Sequence, residues 1–258
     1  MPKPVKFWKD SEIEELAAEV LDKHVSGGQR NPQLPIDIDT LTEVVFRFKV
    51  VWEPIADPPE CQTFATLEPV IGNEVYVAKL TLNEMFREFL TEHPEIERFT
   101  RGHELCHWLM HIDLGKLKTK SLFDEATPAN VLYHRATFNS AQLTPEQKNR
   151  LAKFAVQNEQ AYRLLKPRES DPQACIEPQW MHRQAEQFSA CLLVPRKPLL
   201  ELLNGGDDPA SYATHQKLAA GFQVSKQAIQ IRLKKLGMIA ERETGRFYNI
   251  SEPTRRMF

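Results

Sequence analysis

The chain has 258 residues, of which 41% are hydrophobic and 26% charged, and its formal net charge is −2. This length suffices for one large domain, or for a medium domain with a small one, and the ordinary composition excludes disordered and fibrous proteins. No segment approaches the roughly 18 uninterrupted apolar residues of a membrane span, and the first residues lack the apolar run of a secretory signal, so we expect a cytoplasmic protein with no membrane partner.

The first half of the chain predicts helices that alternate with strands. Apolar residues at helical spacing indicate the helices, and runs rich in β-branched residues indicate the strands. The predicted elements are a helix over Ser11–His24 capped by Ser11, a short helix from Asp39 or Thr40, a strand in "RFKVVWEP" (residues 47–54), a strand over Glu74–Leu82, and a helix that contains "RFTRGHELCHWLMH" (residues 98–111).

The middle of the chain predicts a long irregular stretch followed by two helices. Residues 114–143 are polar and without clear periodicity, which indicates irregular structure. Helices are predicted over Thr144–Leu165 and Gln179–Pro195. The Gly- and Asp-rich stretch Asn204–Ser211 is the strongest linker signal in the chain.

The segment "HELCH" places two histidines four residues apart, with a glutamate directly after the first. On a helix, His103 and His107 share one face and can reach one ion, while Glu104 is turned by about 100° and can reach a water on that ion. Zinc peptidases use this arrangement, in which two neutral imidazoles hold Zn²⁺ and a carboxylate takes the proton from water. The alternative is a packed helix that happens to carry histidines, but their burial on so apolar a helix would be costly without partners.

This segment resembles the "RFTxAHELGHxxLH" motif of the ImmA/IrrE-type metallopeptidases, which are intracellular zincins. Several members cleave repressor-type transcription factors. Three further segments resemble motifs of the same family: "LPIDIDTLTEVV" (residues 34–45), "VYVAKLTLNE" (residues 75–84) and "HRQAEQFSACLLVPR" (residues 182–196). The resemblance implies an α+β zincin-like domain over residues 1–200, with Zn²⁺ as cofactor, Glu104 as general base and then proton shuttle, and an insertion at about residues 114–178.

The sequence departs from the family at the third metal ligand. Where the family has a ligand glutamate this chain has His182, and one turn later it has Glu186. His182 could bind zinc, with Glu186 orienting a ligand imidazole; Glu186 could instead be the ligand; or the site could be degenerate. His111 lies on the same helical face as His107 and is predicted to pack or to support a ligand. Cys106 replaces a family glycine and is predicted to be a buried structural thiol rather than a redox-sensitive one.

The C-terminal segment resembles a winged helix-turn-helix, a module common at the end of these metallopeptidases. A helix to Phe222, a helix over Ser225–Leu236 and a strand–turn–strand around "ETGR" predict a small module over residues 205–258. Residues 211–258 carry nine Lys and Arg against three Glu, a balance of +6 that leaves −8 on the rest of the chain. DNA binding would use Lys226, Gln227, Gln230, Lys234, Lys235, Arg242 and Arg246. The alternative is a packing module.

The motif and the family resemblance together imply a cytoplasmic zinc endopeptidase that acts on a regulatory, repressor-like protein. The four cysteines lack paired spacing, which suits reduced thiols in a cytoplasm. The alternative function is a DNA- or protein-binding regulator whose zincin fold is a catalytically weak scaffold.

Overall fold

The computed structural model describes residues 7–24, 32–55, 63–70, 75–112, 180–241 and 247–250, and the backbone of 134–137 and 179. The predicted helix over residues 144–165, most of the predicted insertion, and Arg242 and Arg246 lie outside the described residues. Within the described part of the chain, no helix is long and apolar enough to cross a membrane.

The described chain mixes helices with strands, which confirms the α+β class. Its helices are α1 (Asp10–His24), α2 (Arg87–Glu92), α3 (Pro94–Cys106), α4 (Gln179–Leu193), α5 (Arg196–Leu203), α6 (Tyr212–Phe222) and α7 (Lys226–Lys235). Two π-helical turns (Thr40–Val45 and His107–His111) and one 3₁₀ turn (Glu84–Phe86) add to these. Its strands are β1 (Phe48–Glu53), β2 (Thr63–Pro69), β3 (Ala78–Asn83), β4 (His134–Thr137), β5 (Ile239–Glu241) and β6 (Phe247–Asn249).

Most of the predicted elements are confirmed, but helix α5 (Arg196–Leu203) was not predicted, and there are three other differences. Helix α1 begins at Asp10, so Ser11 lies in its first turn rather than at the cap. Strand β2 was not predicted, because its first five residues are all buried and therefore lack the alternation of a half-exposed strand. Residues 134–137 form a strand inside the stretch that was predicted to be irregular.

Contacts divide the chain into two compact units. One contains the described residues of 1–10 and 38–189, and the other those of 11–37 and 190–258. These units are defined by contacts alone, so the predicted domains over residues 1–200 and 205–258 stay a prediction.

The first unit contains a four-stranded mixed sheet in the order β1-β3-β2-β4. Strand β1 pairs parallel with β3, and β2 pairs antiparallel with both β3 and β4. Asn83 ends β3 and ties the strand ends together, since its side chain accepts from the Ile55 N–H at 3.3 Å and donates to the Thr63 carbonyl at 2.9 Å. Helix α3 contacts β2 and the backbone of β4.

An aromatic cluster connects the sheet to the helices that precede the candidate site. Phe64 of β2 is fully buried and lies edge-on to Phe86 with ring centroids 5.0 Å apart, and parallel to Phe89 at 6.0 Å. Ile96 of α3 belongs to the same cluster. Burial of each such side chain stabilises the fold by about 1.5–3 kcal/mol. The cluster therefore holds the start of α3 against β2.

The second unit includes a helix–turn–helix and a two-stranded hairpin. The Ser211 hydroxyl accepts from the Thr214 N–H and caps α6, and the Ser225 hydroxyl accepts from the Ala228 N–H and caps α7, each at 3.1 Å. Between the helices Gln223 adopts a left-handed conformation with φ of 52°. Strands β5 and β6 pair antiparallel. The core of this helix–turn–helix consists of buried apolar side chains, among them Leu218, Phe222, Val224, Ile229 and Leu233.

Candidate metal centre

Helix α3 carries the first candidate residues, and its start follows ordinary helix chemistry. Pro94 stands at the first position, where its missing N–H costs nothing, and Glu95 and Glu97 lie in the first turn, where negative charge favours the helix dipole. The last six residues of the helix, residues 101–106, are buried. The helix therefore carries "HELC" into the interior of the unit.

Arg101 anchors this helix immediately before the motif. Its side chain is 8% exposed, and its guanidinium donates to Glu43 at 2.8 Å and to Glu97 at 2.9 Å, with an Asp39 carboxylate oxygen 3.3 Å away. Burial alone lowers the pKa of a guanidinium, but the three carboxylates outweigh it and raise the pKa of Arg101. Because Asp39 and Glu43 lie at the π-helical turn over residues 40–45, the ion pairs hold that turn against α3.

Gly102 allows helices α3 and α4 to approach closely. A β-carbon at Gly102 would lie 2.5 Å from Ser189 Oγ and 3.2 Å from Ser189 Cβ. The Ser189 hydroxyl also donates to the Phe99 carbonyl at 2.9 Å. His182 lies two helical turns before Ser189 on α4, so this contact brings His182 and His103 to neighbouring positions.

The three motif residues are buried together. His103 is 3% exposed, and Glu104 and His107 are fully buried. The Nε2 atoms of both histidines and both carboxylate oxygens of Glu104 are withdrawn from solvent. The helix changes at His107 into a π-helical turn, closed by the Ile112 N–H donating to the His107 carbonyl at 3.0 Å. Single π-turns within helices often occur at functional sites.

His182 completes a cluster of imidazoles. The ring centroid of His103 lies 4.8 Å from that of His107 and 4.9 Å from that of His182. Two imidazoles on one tetrahedral zinc ion, with Zn–N bonds of about 2.0–2.1 Å, place their ring centroids roughly 5 Å apart. The spacing of these rings and the chemistry of the donor set therefore fit a shared zinc ion.

The two nitrogens of His182 face different surroundings. Its Nε2 lies 3.4 Å from Glu186 Oε1, whereas its Nδ1 is buried. Both side chains are partly exposed, at 18% for His182 and 24% for Glu186. This orientation gives the Nε2 side of the ring to the carboxylate and the Nδ1 side to the interior.

His107 and His111 are joined through their Nδ1 atoms, which lie 2.8 Å apart. The Nε2 of His111 lies 3.2 Å from the side-chain oxygen of Gln184, and the Gln184 amide donates to the Trp8 carbonyl at 2.8 Å. His111 and Gln184 are 3% and 4% exposed. A chain of polar contacts therefore runs from the candidate ligand His107 to the backbone of Trp8.

The described residues contain no ready-made cluster of three His, Cys, Asp or Glu side chains that could hold a metal ion. The spacing of the three imidazole rings is therefore the observation that fits an ion. Cys106 is fully buried and its thiol contacts the Met110 sulfur at 3.2 Å, so the predicted burial of this thiol is confirmed.

The basic residues predicted for DNA binding are partly engaged in local contacts. The Lys226 ammonium donates to the Tyr212 hydroxyl at 2.5 Å and lies 4.4 Å from the ring centroid. Lys234 pairs with Glu241 and lies 4.9 Å from the Phe247 ring centroid, and Gln230 contacts His215 at 3.3 Å. Gln227 is half-buried and Lys235 is exposed.

Three residues that shape the site were missed by the sequence analysis. A glycine inside an otherwise helical, apolar pattern signals a close approach, and this signal was available for Gly102. The pairing of Arg101 with Asp39 and Glu43 could not be predicted from its neighbours in sequence, because these carboxylates lie about 60 residues earlier in the chain. Gln184 gave none either, because its partners are more than 70 residues away in sequence.

A protein-family model matches part of the chain. Residues 177–234 match the model of the Peptidase_M78 family, described as the IrrE N-terminal-like domain. The comparison with curated proteins finds no match. The matched residues contain His182 and Glu186 and continue through α6 into α7, but do not include the "HELCH" motif. This match supports the ImmA/IrrE family for the chain, and with it a metallopeptidase-type enzyme.

Proposed function

We propose that the protein is a zinc-dependent endopeptidase that acts on a regulatory, repressor-like protein. The observation that carries this proposal is the buried grouping of His103, Glu104 and His107 beside His182, with the rings of His107 and His182 each within 5 Å of the His103 ring. The match to a peptidase family over the helix that carries His182 supports the same reading.

The proposal assigns zinc binding to three imidazoles. His103 and His107 would bind through Nε2, and His182 would bind through Nδ1 because its Nε2 faces Glu186. The carboxylate of Glu186 would accept a hydrogen bond from the Nε2–H of His182, which holds the ring in the required tautomer. When bound, zinc supplies Lewis-acid activation of water and of a peptide carbonyl.

Glu104 is proposed as the general base. It follows His103 directly and is turned away from the face shared by the two histidines, so its carboxylate can serve water without binding the ion. Burial of both of its oxygens places the carboxylate where solvent competes little for the transferred proton. After accepting a proton from water, Glu104 can give it to the leaving amine.

The sheet suggests how a protein substrate could be held. Strand β4 is an outer strand of the sheet that the described residues form, and its backbone contacts α3. An extended peptide can add to such an edge through backbone hydrogen bonds, which recognise an unfolded segment with little regard to its sequence. We propose that the scissile segment binds as an extended chain along this edge.

The C-terminal helices are proposed to serve packing rather than DNA binding. Two of the predicted DNA contacts, Lys226 and Lys234, already face aromatic rings and polar partners in the same unit. In addition, the family match runs without interruption across the predicted linker at residues 204–211. The DNA-binding regulator is the alternative function, and proteolysis by the purified protein distinguishes the two.

Substitution of Glu104 tests the proposal. Glu104→Gln should keep zinc bound and the fold intact while it lowers proteolysis by ~10²–10⁴-fold, as for other positioned acid–base groups. Because the substrate is unidentified, we would compare new protein N-termini, by proteomics, in cells that express the wild-type chain or Glu104→Gln. A set of N-termini specific to the wild type is the expected result. Identical N-termini in both cultures, or loss of zinc from Glu104→Gln, would contradict the assignment.

A further inference from the structure

We infer that His111 and Gln184 are positioning residues that fix the tautomer of His107, so that its Nε2 carries the lone pair a metal ion needs. The inference rests on the proposed function in naming zinc as the ion. It is carried by the chain of contacts His107–His111–Gln184–Trp8, whose three distances are 2.8, 3.2 and 2.8 Å.

The donor-to-acceptor direction of this series of hydrogen bonds is set at Trp8. The Trp8 carbonyl can only accept a hydrogen bond, so the Gln184 atom 2.8 Å from it must be the amide nitrogen. The reverse orientation of the amide would bring two oxygens together. The side-chain oxygen of Gln184 therefore faces His111, and this oxygen can only accept.

The Gln184 oxygen in turn sets the donor and acceptor roles of the two imidazoles. His111 must carry its proton on Nε2 to donate to Gln184, so the Nδ1 of a neutral His111 is an acceptor. The Nδ1 of His107, 2.8 Å away, must then carry the proton and donate it to His111. The remaining nitrogen of His107, the buried Nε2, is left with its lone pair in the ring plane.

The local fold explains why these two rings meet. In the π-helical turn over His107–His111, residues four apart lie on the same face of the helix. The His111 ring is held from another side by Trp180, edge-on with centroids 5.9 Å apart. A ligand imidazole usually donates its second N–H to a carboxylate, a carbonyl or water, and here that role falls to a second histidine.

The tautomer can be measured in the metal-free protein. Long-range ¹H–¹⁵N spectra of histidine side chains distinguish the Nδ1–H and Nε2–H forms, and a His107→Ala spectrum identifies the His107 signals. We expect His107 to be in the Nδ1–H form and His111 in the Nε2–H form. Detection of His107 as the Nε2–H form would overturn the inference, whether or not the protein binds zinc.

Two substitutions at His111 separate positioning from packing. In His111→Asn, the side-chain oxygen takes the place of Nδ1 and can still accept from His107, whereas His111→Leu provides no acceptor. We expect His111→Leu to weaken Zn²⁺ binding by ~10–100-fold, the usual effect of losing such a partner, and His111→Asn to recover most of that loss. Gln184→Met should leave the His107 signals as a mixture of both tautomers.

Zinc affinity is measured by competition with a chromophoric chelator, with thermal unfolding recorded for every variant. His215→Leu is the matched control, since His215 is another buried histidine, 1% exposed, whose Nε2 lies 2.8 Å from a backbone carbonyl, in the other unit. It should lower stability and leave zinc affinity unchanged. Equal zinc affinity in His111→Leu and His111→Asn would overturn the positioning role. Failure of the wild type to bind zinc would refute the proposed function. The tautomer measurement would still show whether His111 and Gln184 fix the tautomer of His107.

Discussion

Two imidazoles of the candidate site, those of His107 and His182, divide their two nitrogens between a supporting partner and the interior. For His107 the partner is His111, and for His182 it is Glu186, 3.4 Å from Nε2. A fixed tautomer removes the cost of selecting it when the ion binds, which is why partners of this kind tune metal affinity. The same division is the reason for proposing His182, rather than Glu186, as the ligand.

Single substitutions at these two positions separate the assignments. With His182 as ligand, His182→Ala should lose most bound zinc, while Glu186→Gln should lower affinity by only ~10–100-fold. His182→Glu should retain the metal, because a carboxylate is also a good zinc ligand. Zinc titration of the three variants is the measurement. If Glu186→Gln empties the site while His182→Ala keeps it filled, Glu186 is the ligand and the alignment of α4 is wrong by one turn.

At the scale of elements, the site depends on how closely α3 approaches α4. A methyl group at Gly102 would gain about 1 kcal/mol from helix propensity, but overpacking of a close contact costs about 1–3 kcal/mol. Because the added Cβ would meet Ser189 Oγ at 2.5 Å and Cβ at 3.2 Å, we expect the second effect to exceed the first.

Gly102→Ala should therefore lower the free energy of unfolding, and should also weaken zinc binding because it separates His103 from His182. Chemical denaturation and zinc competition measure the two effects. The double variant Gly102→Ala with Ser189→Gly removes both Ser189 atoms that clash and should recover zinc affinity. Full affinity in Gly102→Ala alone would show that the close approach does not position the ligands.

Some elements of the molecule could be predicted from the sequence and others could not. Helices α3 and α4 were predicted because their apolar residues recur at helical spacing, and the "HELCH" pattern placed His103 and His107 on one face. Strand β2 was missed because burial on both faces removes its alternation. The hydrogen bonds of Gln184 with His111 and Trp8 were also not predicted, because residues 8, 111 and 184 meet only in the folded chain.

At the scale of the whole molecule, a buried ion pair joins distant parts of the second unit. Arg232 of α7 is 2% exposed and donates both to the Val194 carbonyl at 3.0 Å and to the Glu14 carboxylate of α1 at 2.6 Å. Burial raises the pKa of Glu14, but Arg232 outweighs it and the pKa lies below its usual value. Burial also raises the pKa of Cys191 to about 12, so its thiol stays protonated and donates to Glu14 at 3.2 Å.

This ion pair predicts a pH dependence of stability. Because the folded pKa of Glu14 is lowered, its contribution is fully present above the usual glutamate pKa of about 4.3 and is lost as pH falls through the folded value. Glu14→Gln should cost roughly 1–3 kcal/mol at neutral pH, less than for a fully buried pair, since Glu14 is 28% exposed. Denaturation of both proteins over a pH series should show the difference shrinking in acid.

Glu19→Gln is the matched control for this experiment. Glu19 lies on the same helix and pairs with Lys23, but the two side chains are 55% and 62% exposed, so solvent screens the pair. Its removal should change stability little at any pH. A stability difference between Glu14→Gln and the wild type that stays constant down to strongly acidic pH would show that the ion pair does not act through the charge of Glu14.

The central claim is that the imidazoles of His103, His107 and His182 form a zinc site. The most direct measurement is the zinc content of the purified wild-type chain and of the double variant His103→Asn with His107→Asn, by mass spectrometry of the metal after dialysis. We predict about one zinc ion per wild-type chain, as in a mononuclear peptidase site, and almost none in the folded double variant. A wild-type chain that holds no zinc even after reconstitution, or a double variant that holds as much as the wild type, would contradict the claim.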